Sequence, residues 1–165
     1  MVPCPICAGP LRPIGSRKRT RRLTTGVRMV LVIRRLGCPA CDRIHHELPD
    51  CLVPYKRYDV ESIEAGILEG TASAVAADES TIARWRRWFA TWVVYAVGCL
   101  RALQARAGLQ RIQDARAACV PAVLGEVSRW VGDAAHWLAR IVRPIANAHL
   151  WCTDPFRVDV PPPVP

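Results

Sequence analysis

The two short sequences CPIC (residues 4–7) and CPAC (residues 38–41) decide how this chain is expected to fold. Each C-P-x-C turn presents two thiolates from one tight loop, and two such turns complete a tetrahedral four-sulfur shell around Zn²⁺. Their separation suits a zinc ribbon, in which a β-hairpin leaves the first turn and returns to the second. We therefore predict one structural Zn²⁺, bound by Cys4, Cys7, Cys38 and Cys41.

Other uses of the paired cysteines fit the sequence less well. Two disulfides would suit a secreted scaffold, but the chain shows no basic and apolar secretory segment, so we expect a reducing compartment. A catalytic C-x-x-C redox pair would need one motif only, in a βαβ pattern that the sequence lacks. The most apolar stretch, residues 88–100, is too short to span a bilayer, so we expect no membrane association.

Positive charge is concentrated in the first third of the chain. The 165 residues carry a formal net charge of +9, and residues 1–60 hold twelve Lys/Arg against four Asp/Glu. The rest of the chain is nearly neutral. A basic lobe on a near-neutral body is typical of a protein that binds a phosphate backbone, although a basic surface can also serve solubility alone.

A basic cluster and an apolar strand lie between the two cysteine turns. Thr24-Thr25-Gly26 predicts a hairpin turn, and the β-branched run 27–35 predicts a strand that is buried in its middle and charged at its ends. The basic cluster could direct guanidinium groups onto phosphate oxygens, or it could be a solvated edge that prevents aggregation. We predict nucleic-acid contacts from Arg17, Lys18, Arg19, Arg21 and Arg22.

Residues 56–92 have the pattern of a helix-turn-helix. The sequence predicts a helix over residues 59–68, a short helix over 71–77, and a long third helix that is capped near Asp78. Apolar spacing assigns the buried stripe of the third helix to Ile82, Trp85 and Phe89. The opposite face is then either a solvated arginine face or a DNA-reading surface, for which we predict Ser80, Thr81, Arg84 and Arg87.

Residues 93–157 predict a helical body that continues the third helix. Its apolar sides indicate enclosure by other helices or by a second subunit, with the tryptophans packed inside. A helix that begins near Pro121 is expected to be kinked or ended by Pro144. Residues 158–165 predict a disordered proline-rich tail. His45 and His46 could replace a cysteine ligand, but we expect them instead to hydrogen-bond around the cysteine site or to contact a partner. His136 and His149 are expected to be structural rather than metal ligands.

The expected fold class is α+β, mostly α. A small β-hairpin zinc ribbon over residues 1–55 is followed by the helix-turn-helix and a helical bundle.

The order of these motifs resembles a known group of proteins. The cysteine turns, the linker HELPDCLVPYKRYDVESIEAGI (residues 46–67) and the helix start DESTIARWRRWF (residues 78–89) resemble the N-terminal DNA-binding region of bacterial insertion-sequence transposases. They are most similar to a family of short uncharacterised bacterial proteins related to those transposases, as is the later sequence IANAHLWCTDPFR (residues 145–157). The resemblance implies zinc at the four cysteines and DNA contact from the third helix. The RNase-H-like catalytic domain of full transposases has no counterpart in this sequence.

No catalytic pattern accompanies the cysteine turns. The sequence lacks a glycine-rich phosphate loop, a nucleophile elbow and a His-Glu-x-x-His motif, and four thiolates would leave zinc no open position for water. We therefore predict a non-catalytic protein that binds double-stranded DNA at the nucleoid, in the cytoplasm, as a regulator or as a mobile-element accessory or remnant. The alternatives are a protein–protein or homo-oligomerisation module with a purely structural ribbon, and RNA binding by the basic hairpin.

Overall fold

A three-stranded antiparallel sheet forms the N-terminal part of the protein. The computed structural model describes residues 2–68, 74–108 and 136–151. Strands β1 (Arg12–Arg22), β2 (Arg28–Gly37) and β3 (Ile44–His46) lie in the order β1-β2-β3, and each is antiparallel to its neighbour. The predicted hairpin is confirmed. The short third strand, which follows the second cysteine turn, is an addition that the sequence pattern did not indicate.

The turn of the hairpin is tied to a later part of the chain. The Leu23 N–H donates to the Val27 carbonyl at 2.9 Å, and Gly26 adopts a φ of 83°, a left-handed conformation for which glycine is suited. The Ala76 N–H donates to the Thr24 carbonyl at 2.7 Å. The hairpin is therefore anchored at both ends, by the cysteine turns and by this contact.

The middle of β2 is largely exposed, and the prediction that it is buried is wrong. In the apolar run only Ile33 is buried, whereas Val30 and Val32 are 61% and 67% exposed. Val30 and Val32 pair across the ladder with Thr20 and Lys18, and cross-strand partners share one face. One face of the sheet thus packs against the protein, while the other face meets solvent.

Three α-helices lie in the described ranges: α1 (Val60–Ile67), α2 (Glu79–Arg106) and α3 (Trp137–Asn147). Asp59 caps α1 by accepting from the Ser62 N–H at 2.9 Å, and Asp78 caps α2 in the same way. The predicted first and third helices are confirmed, and the fold is α+β. None of these helices combines the length and the apolar character that a bilayer crossing requires.

The predicted short helix over residues 71–77 is not found in its described part. Residues 71–73 lie outside the described ranges, residue 74 is in a 3₁₀ turn, and residues 75–77 form bends, so no α-helix runs through residues 74–77. The Ala76 N–H is used by the hairpin turn instead of a carbonyl in a preceding helical turn, which explains why the alanine-rich sequence does not continue as a helix here. The helix-turn-helix geometry is therefore an expectation that the described residues do not confirm.

The hydrophobic core is centred on α2. Trp92 is fully buried; its ring stacks on Trp88 with centroids 5.3 Å apart and lies 5.0 Å from Trp151. Phe89 meets Trp137 of α3 edge-on at 5.3 Å. These tryptophans pack in the core as predicted, and the predicted stripe on α2 is buried. Trp130 lies outside the described ranges.

Helix α3 is not ended by Pro144, which was one of the two predicted effects of this proline; the other, a kink, stays a prediction. The helix begins after His136, whose backbone is left-handed at φ 64°, and continues through Pro144 to its last residue, Asn147. Proline removes one backbone donor, but Ile141 and Ile145 on either side are fully buried, so packing holds the helix across this position. The predicted helix near Pro121 and the proline-rich tail fall in residues 109–135 and 152–165, outside the described ranges.

A buried carboxyl group connects α1 with α3. Glu64 is buried, and its Oε1 accepts from the Leu138 N–H at 2.6 Å. His136 gives the start of α3 no side-chain cap, so Glu64 satisfies a backbone donor that the helix itself cannot satisfy. Burial raises the pKa of Glu64, and the hydrogen bond from Leu138 opposes that rise only in part.

We expect Gly66→Ala to destabilise the protein. A Cβ at Gly66 would lie 2.6 Å from Cε3 of Trp85, so α1 would have to move away from α2. The expected loss is about 1–3 kcal/mol of unfolding free energy in urea titrations. The control is Gly98→Ala in α2, where a Cβ meets nothing within 4 Å; it should be neutral or stabilise by up to about 1 kcal/mol. Native-like stability of Gly66→Ala would contradict the close approach of the two helices.

We expect Glu64→Gln to become more favourable, relative to the native protein, as pH rises. Because the folded pKa of Glu64 is raised, the contribution of this carboxyl to stability is present below the ordinary carboxyl pKa and is lost as pH rises through the folded value. Glutamine keeps an acceptor for Leu138 but does not ionise. The difference in unfolding free energy between Glu64→Gln and the native protein should therefore favour glutamine more at pH 7 than at pH 4. Glu79→Gln, on the exposed first turn of α2, is the control. A pH-independent difference for Glu64→Gln would contradict this assignment.

Candidate metal centre

The four cysteines of the two turns come together at one point. Their Sγ atoms all lie within 4.8 Å of one another, with Cys4–Cys41 at 3.7 Å and Cys7–Cys38 at 3.4 Å. Four sulfurs placed about 2.3 Å from a tetrahedral Zn²⁺ would be separated by about 3.8 Å, whereas a disulfide would require about 2.05 Å. All six cysteines of the described ranges are unpaired thiols. The cluster is therefore compatible with a metal ion and is not arranged as disulfides.

The two turns are built alike. The Ala8 N–H donates to the Cys4 carbonyl at 2.8 Å, and the Asp42 N–H donates to the Cys38 carbonyl at 2.9 Å. Ala8 and Asp42 both have left-handed backbones, with φ of 58° and 53°. Such backbones are costly for residues other than glycine and persist where the surrounding structure imposes them. The repeated geometry aims both pairs of sulfurs at the same point.

Close approach of the turns depends on Gly9. A Cβ there would lie 3.0 Å from the Cβ of Ala40 and 3.4 Å from Sγ of both Cys7 and Cys38. A glycine at this position leaves the two sulfurs room to converge. Residue 9 therefore belongs to the cradle of the candidate metal centre although it offers no ligand atom.

The thiols cannot all ionise easily without a cation. Burial raises the pKa of Cys4, but hydrogen bonds from the backbone N–H groups of Cys7 and Ile6, with smaller ones from the thiols of Cys41 and Cys7, together outweigh it and lower the pKa to about 6. At Cys41, burial and the neighbouring thiols raise the pKa to about 12 despite the Arg43 backbone. A divalent cation would remove this conflict, and a closed set of four sulfurs suits Zn²⁺ or an iron site.

Two histidines extend from the cysteine cluster. Nε2 of His45 lies 3.4 Å from Sγ of Cys4, and Nδ1 of His45 lies 2.6 Å from Nε2 of His149. Its neighbour His46 is exposed on the other face of β3. The His45–His149 contact was missed from the sequence, because 104 residues separate the two and neither lies in a local motif.

The predicted phosphate-binding cluster on β1 divides into exposed and engaged cations. Arg17 and Lys18 are exposed, on opposite faces of the strand. Arg19 is half-buried, and its Nη2 donates to the carbonyls of Val53 (2.8 Å) and Lys56 (2.9 Å). Arg19 therefore also anchors the sheet to the segment before α1.

The last two arginines of the cluster are also engaged. The guanidinium of Arg22 lies 5.7 Å from the ring centroid of Tyr58 and donates to its hydroxyl at 3.4 Å. Arg21 is half-buried, and its Nη2 meets Sδ of Met29 at 3.6 Å. Of the five predicted cations, Arg17 and Lys18 are thus the most available to a ligand.

The predicted DNA-reading residues of α2 divide in the same way. The carboxylate of Asp78 accepts from Ser80 Oγ (2.5 Å) and from Thr81 N (2.7 Å) and Oγ1 (3.0 Å), which lowers the pKa of Asp78 to about 2. Both hydroxyl groups are therefore used by the cap. Arg84 and Arg87 are exposed, although Arg84 Nη2 donates to Thr81 Oγ1 at 2.7 Å. The arginines remain candidates for contact with an anion.

Lys56 joins these two groups of cations and was missed from the sequence. Its Nζ lies 4.0 Å from the ring centroid of Trp88. Burial, together with the charge of Arg84, lowers the pKa of Lys56 to about 8. In the sequence, Lys56 is one of two basic residues between Tyr55 and Tyr58, a pattern that does not distinguish it from an exposed lysine.

We expect Cys38→Ser to abolish tight Zn²⁺ binding. Even the loss of an outer-shell partner costs about 10–100-fold in metal affinity, so removal of one of four ligands should cost more than about 100-fold. Chelator competition and the melting temperature with and without Zn²⁺ measure this. The control is Cys51→Ser, a half-buried thiol outside the cluster, which should bind one Zn²⁺ as the native protein does. Equal Zn²⁺ affinity of the two variants would contradict the assigned ligands.

Comparisons with known proteins cover the half of the chain that contains the cysteine cluster. Residues 4–85 match the model of a family described as a domain of unknown function (DUF6431). The matched range includes both turns, the whole sheet, α1 and the first turns of α2. Neither the curated proteins nor the solved structures gave a match. The chain is thus similar to this family over the region that builds the candidate metal centre.

Proposed function

We propose that this protein is a non-catalytic, zinc-stabilised DNA-binding protein, related to the DNA-binding regions of insertion-sequence transposases. Its partner would be double-stranded DNA, which the protein would bind as a regulator or as an accessory of a mobile element. The observation that supports this most is a connected cationic surface, which runs from the sheet near the cysteine cluster to the first turns of α2.

The surface begins on one face of the sheet. Arg35 pairs with His46 across the β2–β3 ladder, and Arg17 lies on the same face of β1, two residues from the partner of Arg35. Burial, followed by the charges of Arg17, Arg35 and Arg19, lowers the pKa of His46. These three guanidinium groups are therefore close enough for their charges to act together on His46.

The surface then passes to α2 through Arg19 and Lys56. Burial and the charge of Arg17 lower the pKa of Arg19, and Arg19 donates to the carbonyl of Lys56. The charge of Arg84 in turn contributes to the lowered pKa of Lys56. Like charges gathered in this way oppose folding, so a polyanion that neutralises them would bind with release of counterions.

Ion pairs with acids occur elsewhere in the described ranges. Arg34 makes a bidentate pair with Glu47 at 2.6 and 2.7 Å, and Arg143 pairs with Asp50 at 3.1 Å. In the same ranges, Arg17, Arg35, Lys56 and Arg84 have no acidic partner within salt-bridge distance. These four cations without an acidic partner lie along the proposed surface, as expected for phosphate contacts.

The candidate zinc centre would act structurally in this function. Four thiolates close the coordination shell, so a bound Zn²⁺ would have no open position to activate water. Its part would be to hold residues 4–11 and 36–41 together and to fix the sheet that carries Arg17 and Arg35. This supports a binding protein rather than an enzyme.

A second candidate function is a protein–protein interaction or oligomerisation module with a structural zinc centre. The outward sheet face favours it, because Val30 and Val32 are exposed side by side on this face. Val30→Thr with Val32→Thr should then disrupt an assembly seen by sedimentation and leave DNA affinity unchanged. Loss of DNA affinity in that variant would instead place this face in the DNA interface.

We expect Arg17→Ala with Arg84→Ala to weaken DNA binding and its salt dependence together. Each lost phosphate contact should reduce the slope of log K against log[salt] by about 0.9, and two contacts correspond to roughly 30-fold in affinity near 0.15 M salt. Fluorescence anisotropy with a 25-base-pair duplex at several salt concentrations measures both.

The control is Arg106→Ala, to be compared with Arg84→Ala alone, because it removes one exposed arginine from the same helix about 33 Å further along α2. It should retain most of the native affinity and slope. Two results would contradict the proposed surface: native affinity that does not change with salt, or an equal loss in the Arg106→Ala control.

A further inference from the structure

We propose that His149 is a positioning residue of the metal centre, which couples metal binding to the docking of the segment that follows α3. This inference rests on the metal centre of the proposed function. It adds a residue from the far end of the described chain, and a physical connection between the cysteine cluster and the helical core.

The connection is a chain of two hydrogen bonds. Sγ of Cys4 lies 3.4 Å from Nε2 of His45, within hydrogen-bond range for sulfur. The other ring nitrogen of His45 lies 2.6 Å from Nε2 of His149, and the two rings are nearly perpendicular with centroids 4.5 Å apart. His45 is only 7% exposed, so its ring nitrogens have little access to water and depend on these partners.

A metal-bound thiolate determines the direction of the hydrogen bonds. A thiolate can only accept, so Nε2 of His45 must carry the proton that it donates to Cys4. Nδ1 of a neutral His45 is then an acceptor, and Nε2–H of His149 is the donor that satisfies it. This is the arrangement by which an outer-shell residue fixes the orientation of an inner one and moderates the charge of the sulfur.

His149 is itself held by the helical core. Its N–H donates to the Ala146 carbonyl at 3.1 Å, and its backbone is left-handed at φ 57°. The next residue, Leu150, accepts from the Tyr95 hydroxyl at 2.7 Å, and Trp151 packs on Trp92. The metal centre is thereby linked to α2 through residues 149–151.

Coupling of this kind acts in both directions. Loss of an outer-shell partner typically costs 10–100-fold in metal affinity. By reciprocity, bound metal should stabilise the docked position of residues 149–151 by the same factor. Bound metal would then strengthen the attachment of residues 149–151 to the sheet.

The test compares Zn²⁺ affinity, by chelator competition on the full chain, in the native protein and in three variants of His149. His149→Ala and His149→Phe remove the donor, and phenylalanine keeps the volume of a ring; both should weaken Zn²⁺ by 10–100-fold. His149→Gln restores an N–H donor and should recover most of the affinity. His46→Ala, a neighbouring exposed histidine without contact to a cysteine, is the control and should bind as the native protein does.

Two further readouts distinguish positioning from simple stability. With Co²⁺ in place of Zn²⁺, the sulfur-to-metal charge-transfer absorption should shift in the alanine and phenylalanine variants and return with glutamine. Hydrogen exchange of residues 149–151 should become faster when a chelator removes the metal from the native protein. In His149→Phe, metal removal should accelerate this exchange less.

Native Zn²⁺ affinity and an unchanged Co²⁺ spectrum in His149→Phe would overturn this inference and leave the metal centre intact. A native protein that binds no metal would overturn the metal centre itself, and with it the proposed function. Loss of affinity in His149→Gln equal to that in His149→Ala would show that the ring, and not its donor, is required, and would also overturn the inference.

Discussion

Four cysteine sulfurs held within 4.8 Å of one another are the constraint on which the rest of this structure depends. Four thiolates this close repel one another, and burial together with the neighbouring thiols raises the pKa of Cys41, so a bound cation would be needed to hold all four ionised. The apolar cluster around them is small, with only Leu11 and Leu36 buried beside Cys4 and Cys38. A cluster of this size buries too little surface to hold two turns together by packing, and metal binding commonly supplies that stability in small domains.

The sheet joins the cysteine cluster to the helical core on one face and is exposed to solvent on the other. Its inner face is fastened by Arg19 to the segment before α1, and its turn is fastened by Thr24 to the segment before α2. On the same face, Arg17 and Arg35 lie close to Arg19. Arg17, Arg35, Lys56 and Arg84 have no acidic partner within salt-bridge distance among the described residues. A rigid scaffold that presents unpaired cations in fixed positions binds a phosphate backbone at low entropic cost. Stability and proposed function therefore depend on the same few attachments.

Local patterns allowed much of the fold to be predicted from the sequence. The C-P-x-C turns, the Gly26 hairpin turn and the aspartate caps of α1 and α2 are short-range signals, and each is found where it was expected. Burial of β2 was predicted wrongly, because an apolar strand says nothing about which of its faces another element will cover. The partners of Arg19 and His45 could not be predicted, since they lie 34 and 104 residues away and carry no periodic signal. Ser80 and Thr81 show a similar limit, because the same hydroxyl groups suit a helix cap and a DNA contact.

X-ray absorption at the zinc edge of the purified, full-length protein tests the central claim most directly. One zinc ion per chain, surrounded by four sulfur atoms at about 2.3 Å, is the result that this structure predicts. A folded protein without bound metal, or a shell in which nitrogen or oxygen replaces one of the sulfurs, would contradict it.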